Sequence, residues 1–397
     1  MKLSVFIAIV LLSALFPLQT SWGQSIGDIS LNEVLAVSME RSLSRNDSIE
    51  QMQYRSSSWL AALPSISLSY LNSDNREGTD EAELSLNLPI KSYSQRRIDK
   101  KLQTLVDEYK AISIQQKRVY LSGFIREAIW SYKVAQVQRQ SASKKSHLLK
   151  QLAQQYQDLF TAKSISEYSL LRVQKEWFDA QLNELEYQQE LQRWLQQYHA
   201  ITGLGSIPDD IVEDAINTSN FSLEQHPQLR LLIMAWSQKQ QMMLASGNQS
   251  APWNVALTAR NVDSPDFQDD QYGIGVEIPL SFIDMSSESQ KGEWQRERQS
   301  FDMSRDELRL GLQRRWNMLV NESTTLRKKS ELLRHSSELS KRLAQQSKAF
   351  RAFREIGEEL VLRQLIDAVD AQASLELNKI YIQQNNAMLR QAAGISL

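Results

Sequence analysis

The residues that could bind metal ions or act as nucleophiles are few and scattered along this 397-residue sequence. The histidines are His147, His199, His226 and His335, and no two of them have the spacing that places a metal-binding pair on one helix face. There is no cysteine, which excludes disulfides, thiolate-bound zinc, a cysteine nucleophile and a lipid-modified cysteine. Neither a glycine-rich phosphate loop nor a nucleophile elbow occurs. The sequence therefore predicts no enzyme active site, no cofactor and no metal site.

The composition points to long helices with polar faces. The 45 basic residues nearly balance the 47 acidic ones, so the chain lacks the basic excess that marks a nucleic-acid partner. Only 13 Gly and 8 Pro occur, and 42 % of the residues are hydrophobic. Acidic side chains in such a chain are usually surface charge on solvated helices.

The first 23 residues have the pattern of an export signal peptide. Lys2 precedes an apolar stretch from Val5 to Phe16, and Ser21 and Gly23 supply the small residues before a cleavage site. An uncleaved anchor helix is the alternative, although the apolar stretch is shorter than the ~20 residues that a membrane span needs. Residues 1–23 are therefore predicted to direct the mature chain out of the cytoplasm.

The remainder of the chain reads as a duplicated unit. Two proline-free stretches, 90–207 and 280–397, have equal lengths, and proline breaks helix interiors. Short segments also recur at one offset of 191 residues, among them Leu152–Gln155 as Leu343–Gln346 and Gly203 as Gly394. We predict a first repeat of residues 24–205 and a second repeat of residues 206–397.

Each repeat is predicted to contain two long helices, within 94–202 and 284–393. Apolar residues step by four and three, which is the seam pattern of coiled coils; one such run is Ile98, Leu102, Leu105, Tyr109 and Ile112. Turns are expected at Thr161–Ser166 and Ala352–Gly357. A helix from about residue 94 to 160 is on the order of 100 Å long, more than a compact domain requires. The helical pattern alone is also compatible with a soluble coiled-coil rod.

A β-hairpin precedes each helical tract, at 65–90 and at 253–280. Apolar residues alternate there with polar or small ones, so each hairpin has one face of each kind. Polar loops are expected at 72–81 and 261–271. A soluble hairpin packed on a helix would show the same alternation. A membrane barrel with a wet lumen is the other structure that this alternation fits. Such a barrel needs at least ~8 strands, so four strands from one chain close only if several chains share the barrel.

Together these features resemble the TolC-type outer-membrane efflux proteins over nearly the whole mature chain. The segments that carry the resemblance are Ile29–Leu35, His226–Leu229, Ala62–Pro64, Ala251–Pro252, Asn87–Ile90 and Glu277–Leu280. The resemblance implies a mainly α-helical fold, with duplicated coiled-coil helices and β-hairpins that form a homotrimer. Three chains would share a 12-stranded barrel in the outer membrane of a Gram-negative bacterium, continuous with a periplasmic helical tube.

The resemblance also implies a function and a candidate site. The chain would be a passive exit duct of a tripartite efflux or type I secretion system, working with a periplasmic adaptor protein and an inner-membrane pump. The expected periplasmic tip and adaptor contact comprises Lys163, Ser164, Ile165, Ser166, Glu355, Ile356, Gly357 and Glu358, and the expected aperture comprises Asp367 and Asp370. The alternative is a periplasmic coiled-coil adaptor or scaffold protein, but a doubled helical hairpin leaves no room for the compact β domains of an adaptor.

Overall fold

The structure, a computed structural model, describes residues 30–43, 58–75, 77–208, 211–217, 221–246, 252–279, 288–352 and 358–397. The predicted signal peptide and residues 355–357 of the second tip lie outside these ranges. The helices are α1 (Leu31–Leu43), α2 (Tyr93–Thr161), α3 (Glu167–Thr202), α4 (Pro227–Ser246), α5 (Glu288–Ala352) and α6 (Glu358–Ala392). The strands are β1 (Ser65–Leu71), β2 (Asp80–Ile90), β3 (Trp253–Ser264) and β4 (Phe267–Glu277).

The two hairpins join into one antiparallel sheet of four strands in the order β1-β2-β3-β4. The central pairing of β2 with β3 connects the two repeats along the full length of β2, from Asp80 opposite Asp263 to Ile90 opposite Trp253. The outer edges of β1 and β4 have no strand partner among the described residues.

The predicted loop at 261–271 is wrong. β3 continues to Ser264 and β4 begins at Phe267, so only two residues connect them. The polar residues at this end are paired across the strands: the Asn261 side chain donates a hydrogen bond to Asp270 at 2.7 Å. Cross-strand hydrogen bonds of this kind satisfy polar side chains, so a polar composition there does not end the hairpin.

The long helices begin and end at local signals. Ser92 caps α2: its hydroxyl accepts a hydrogen bond from the Gln95 N–H, and the Gln95 side chain accepts one from the Ser92 N–H. At the other end of each repeat, Gly203 (φ 80°) and Gly394 (φ 74°) follow α3 and α6 in the left-handed conformation that favours glycine. A Cβ at Gly394 would also lie 2.4 Å from Pro227 Cδ.

The long helices form a layer in the order α3, α2, α6, α5. α2 packs on both α3 and α6, and α5 packs on α6. Near the tip, α2, α3 and α6 share a core; its buried members are Leu149, Leu152, Ala153, Val173, Ala180, Leu362 and Ile366. A larger core farther from the tip joins α1, α2, α3 and α6 around Trp130 and Tyr198.

Candidate functional site

The tip turn between α2 and α3 is closed by backbone hydrogen bonds. The Ser164 N–H donates to Leu159 O at 2.8 Å and the Lys163 N–H donates to Phe160 O at 2.9 Å. This is the Schellman pattern, which requires a left-handed residue just after the helix, usually glycine. Lys163 occupies that position with φ 58°. The Lys163 side chain is therefore exposed. Its backbone adopts a conformation that is unfavourable for a residue with a Cβ.

Ser166 is the N-cap of α3, where its hydroxyl accepts a hydrogen bond from the Ser169 N–H at 3.3 Å. Its φ of −78° is ordinary extended backbone. In the second repeat the matching position is Gly357, which lies outside the described residues. The turn at Ser166 consequently needs no glycine, and serine there is a favourable cap.

The predicted tip residues of the first repeat lie together at the end of the molecule. Lys163, Ser164 and Ser166 are exposed, and Ile165 is half-buried. Four exposed apolar residues flank this turn; they are Leu159, Phe160, Tyr168 and Leu171. Of the predicted tip residues of the second repeat, the described part of the chain contains only Glu358, the first residue of α6.

The two predicted aperture residues differ in their contacts. Asp370 accepts a hydrogen bond from the Lys145 ammonium at 2.8 Å, an ion pair that joins α6 to α2 of the other repeat. Asp367 is exposed and, within the described residues, makes no ion pair. Asp370 is thus positioned by α2, whereas Asp367 is exposed to solvent in the single chain.

A polar cluster between the tip turn and the predicted aperture residues was missed by sequence reasoning. The Tyr156 hydroxyl of α2 donates to Glu359 of α6, and Arg363 donates to the other Glu359 oxygen at 3.0 Å. Arg363 also donates to Glu176 of α3 at 3.3 Å. The cluster therefore ties together the three helices that form the core near the tip. Only Arg363 had a sequence signal, because Leu171-Arg172 recurs as Leu362-Arg363 at the repeat offset.

The pKa shifts in this cluster follow from its contacts. Burial raises the pKa of Tyr156 to about 12, and the hydrogen bond to Glu359 acts in the same direction. The hydrogen bond from Tyr156 lowers the pKa of Glu359, and Arg363 lowers it further. Both shifts favour a neutral phenol beside an ionised carboxylate at neutral pH.

The sheet exposes an apolar face. Leu68, Leu84, Ala259 and Tyr272 lie opposite one another across the four strands, and Leu86, Leu257 and Ile274 form a second row. Ile66 is 73 % exposed and Tyr272 is 82 % exposed, although both are large and apolar. The opposite face carries small or polar residues such as Ser67, Ser85 and Thr258. Large exposed apolar patches mark contact with another apolar phase or partner.

Two further features bear on function. Within the described ranges, no group of acidic or histidine side chains has the arrangement to hold a metal ion. Of the helices in those ranges, none combines the length and hydrophobicity needed to cross a membrane.

Of the comparisons with known proteins, the one with solved structures identifies the fold of this chain. No family model and no curated protein match this sequence. Among solved structures, the outer membrane protein VceC of Vibrio cholerae has a TM-score of 0.67 and 13 % identity, covering 92 % of this chain and 96 % of that one. The Campylobacter jejuni CmeC outer membrane channel has a TM-score of 0.63 and 13 % identity, covering 92 % and 85 %. The open state of the Neisseria gonorrhoeae MtrE outer membrane channel has a TM-score of 0.61 and 14 % identity, covering 92 % and 89 %.

Proposed function

We propose, on the premise that the chain has the TolC-type fold of these outer-membrane channels, that it is the outer-membrane exit duct of a tripartite efflux or type I secretion system. The duct is passive. An inner-membrane pump supplies the energy, a periplasmic adaptor connects the pump to the duct, and the chain itself provides a continuous path.

The observation that carries the proposal is the sheet. Its exposed apolar face suits contact with lipid and its polar face suits a wet lumen. β1 and β4 each have one edge without a strand partner among the described residues. Unpaired strand edges are not tolerated in lipid, so β4 of one copy pairs with β1 of the next. Three copies would supply twelve strands.

The helices support the lower half of the duct. α2 has 69 residues and α5 has 65, so each is about 100 Å long at ~1.5 Å per residue. Three copies of the helical layer form a tube beneath the barrel, in the periplasm. The exposed tip, with Lys163 and its apolar neighbours Phe160 and Tyr168, is the surface offered to an adaptor.

The first experiment is reconstitution of the detergent-extracted mature protein in planar bilayers, with its mass measured in the same detergent. We expect a trimer and discrete conductance steps. A monomer or dimer that gives no conductance would contradict the duct and favour a periplasmic coiled-coil scaffold.

The aperture is tested in the same bilayers. We propose that Asp367 and Asp370 of three copies narrow the periplasmic end and attract cations. Reversal of both charges with Asp367→Lys and Asp370→Lys should lower cation preference and change conductance. Unchanged conductance and ion preference would remove these residues from the aperture.

A further inference from the structure

The polar face of the sheet carries a belt of charged side chains near its outer end, the end away from the helices. Ser85 of β2 lies opposite Thr258 of β3 on this face, and Glu83 lies opposite Arg260 in the same register. Glu81, Glu83 and Arg260 are an even number of residues from Ser85 or Thr258, so all of them share the polar face. We call Glu81, Glu83 and Arg260 the polar belt.

One carboxylate of the polar belt is neutralised and the other is not. The Arg260 guanidinium pairs with Glu81, diagonally across the two strands, and not with Glu83 opposite it. The Ser85 hydroxyl donates a hydrogen bond to Glu83 at 3.0 Å, and Ser85 is only 8 % exposed. Since a serine has one hydroxyl proton, the Thr258 hydroxyl is the donor in its 3.3 Å contact with Ser85. Glu83 is therefore held in place, and it makes no ion pair within the described residues.

The two hairpins as a whole are acidic. Residues 65–90 and 253–280 contain ten acidic and two basic residues, whereas the complete chain has a net charge of only −2. One of the two basic residues is Arg260, which already pairs with Glu81. The hairpins therefore have no surplus of basic residues that could neutralise Glu83.

The polar belt is close enough to the axis of the proposed barrel to act on passing solutes. Twelve strands that are about 4.8 Å apart and tilted by about 40° close into a barrel with opposite backbones about 24 Å apart. The axis is then about 12 Å from the backbone, and charges are screened over ~10 Å at 0.1 M salt. Glu83 is three residues from the outer end of β2 at Asp80, so the belt lies about 10 Å inside the exit.

We propose that the polar belts of three chains form a cation-selective ring at the exit of the duct, in which Glu83 sets the preference. Rings of acidic side chains select cations in pores, and residues in the lumen of a barrel tune its selectivity. Arg260 moderates the ring, because it neutralises Glu81 in each chain. This inference rests on the proposed trimeric duct and adds a substrate class at its exit: cationic solutes pass the ring more readily than anionic ones.

The test adds a polyvalent cation to the exit side of single channels in planar bilayers. The helical tube is about 100 Å long at ~1.5 Å per residue and does not cross the bilayer, so protein added on one side opens its barrel to the other. Spermine, a tetravalent cation, is added on that side at about 0.1 M salt, and the concentration that halves the conductance is measured.

The two belt variants should shift this concentration in opposite directions. In Glu83→Gln it should rise at least about threefold, because the ring loses its charge while Gln keeps an acceptor for the Ser85 hydroxyl. In Arg260→Gln it should fall, because Glu81 is no longer neutralised. Shifts of the same sign in both variants would contradict the ring, since variants that merely disturb the barrel have no reason to act oppositely.

Glu77→Gln is the matched control, because it removes the same charge from the exposed turn outside the strands and should change the blocking concentration far less. At about 1 M salt, where charges are screened over ~3 Å, all variants should converge on the wild type. If trimers conduct but spermine blocks Glu83→Gln like the wild type, the ring is overturned while the duct stands. Equal shifts in Glu77→Gln and Glu83→Gln would assign the effect to the whole exit and also overturn the ring. A protein that does not conduct would overturn the proposed function itself.

Discussion

The guanidinium of Arg126 forms a bidentate ion pair with the carboxylate of Glu213 in the interior of the protein. Its Nε donates to Glu213 Oε1 at 3.0 Å and its Nη2 donates to Oε2 at 2.6 Å, and the two side chains are 0 % and 6 % exposed. The Arg126 Nη1 also donates to Ile395 O at 2.9 Å. One arginine of α2 therefore joins the segment between α3 and α4 to the residues after α6.

We expect Arg126→Met to destabilise the protein by about 3–5 kcal/mol. The substitution leaves the Glu213 carboxylate buried with Arg390, at 3.4 Å, as its remaining ion-pair partner among the described residues, and removing one partner of a buried ion pair is costly. Denaturant-induced unfolding followed by circular dichroism measures the change. Arg342→Met is the matched control, because Arg342 pairs with Glu338 on the exposed face of α5 and should cost less than about 1 kcal/mol.

The double variant Arg126→Met with Glu213→Leu should be more stable than Arg126→Met alone, because it also removes the buried Glu213 carboxylate that has lost its Arg126 partner. A double variant that is as unstable as the sum of its two single variants would show that the pair is not coupled.

Lys163→Gly should stabilise the tip turn by about 1 kcal/mol. Lys163 has φ 58°, a conformation that is strained for a residue with a Cβ and favourable for glycine. Amide hydrogen exchange at Ser164, whose N–H closes the turn, should slow in the variant. The control Ala162→Gly changes the preceding residue, whose φ is −75°, and should not stabilise the turn. Equal protection in both variants would contradict the strain at Lys163.

Ser166→Ala should destabilise α3 by about 1 kcal/mol, because the Ser169 N–H loses its hydrogen-bond acceptor. Ser166→Gly, which copies the residue at the matching position of the second repeat, should cost only a few tenths of a kcal/mol. Hydrogen exchange in the first turn of α3 measures both. A larger loss for the glycine variant than for the alanine variant would argue against capping by the hydroxyl.

Glu359 should make the stability of the region near the tip depend on pH in the acidic range. Its pKa in the folded protein is lowered from the usual 4.5, so the ionised carboxylate stabilises the fold above that value. This contribution is lost as the pH falls through the lowered pKa. The free energy of unfolding of the wild type should therefore exceed that of Glu359→Gln by up to about 1 kcal/mol at neutral pH, and the difference should shrink as the pH falls below 4.5. Thermal unfolding at several pH values measures it.

Tyr156→Phe is the companion variant, because the Tyr156 hydroxyl is the strongest influence on the Glu359 pKa. Without it, the stability contributed by Glu359 should be lost at a higher pH than in the wild type. The same loss at the same pH in both proteins would contradict the role of this hydrogen bond.

The sequence by itself was sufficient for the elements that local signals and periodicity define. The absence of proline and the four-and-three spacing indicated the long helices, and the structure has α2 ending at Thr161 and α3 beginning at Glu167, as the predicted turn requires. Strict alternation indicated the strands, because side chains on a strand alternate between its faces. The resemblance to the TolC-type fold, based on the order and spacing of these elements, is confirmed by the solved channels.

Only the tertiary structure decided the contacts between segments distant in sequence. Pairing between adjacent strands is also decided there: Asn261 and Asp270 are only nine residues apart, but the polar composition around them predicts a loop. Likewise Tyr156 and Glu359 are 203 residues apart, and Arg126 and Glu213 are 87 apart. Periodicity shows which face of a helix is apolar but not which helix covers it. That choice depends on how the two repeats pack, which places α3 and α5 at the edges of the helical layer.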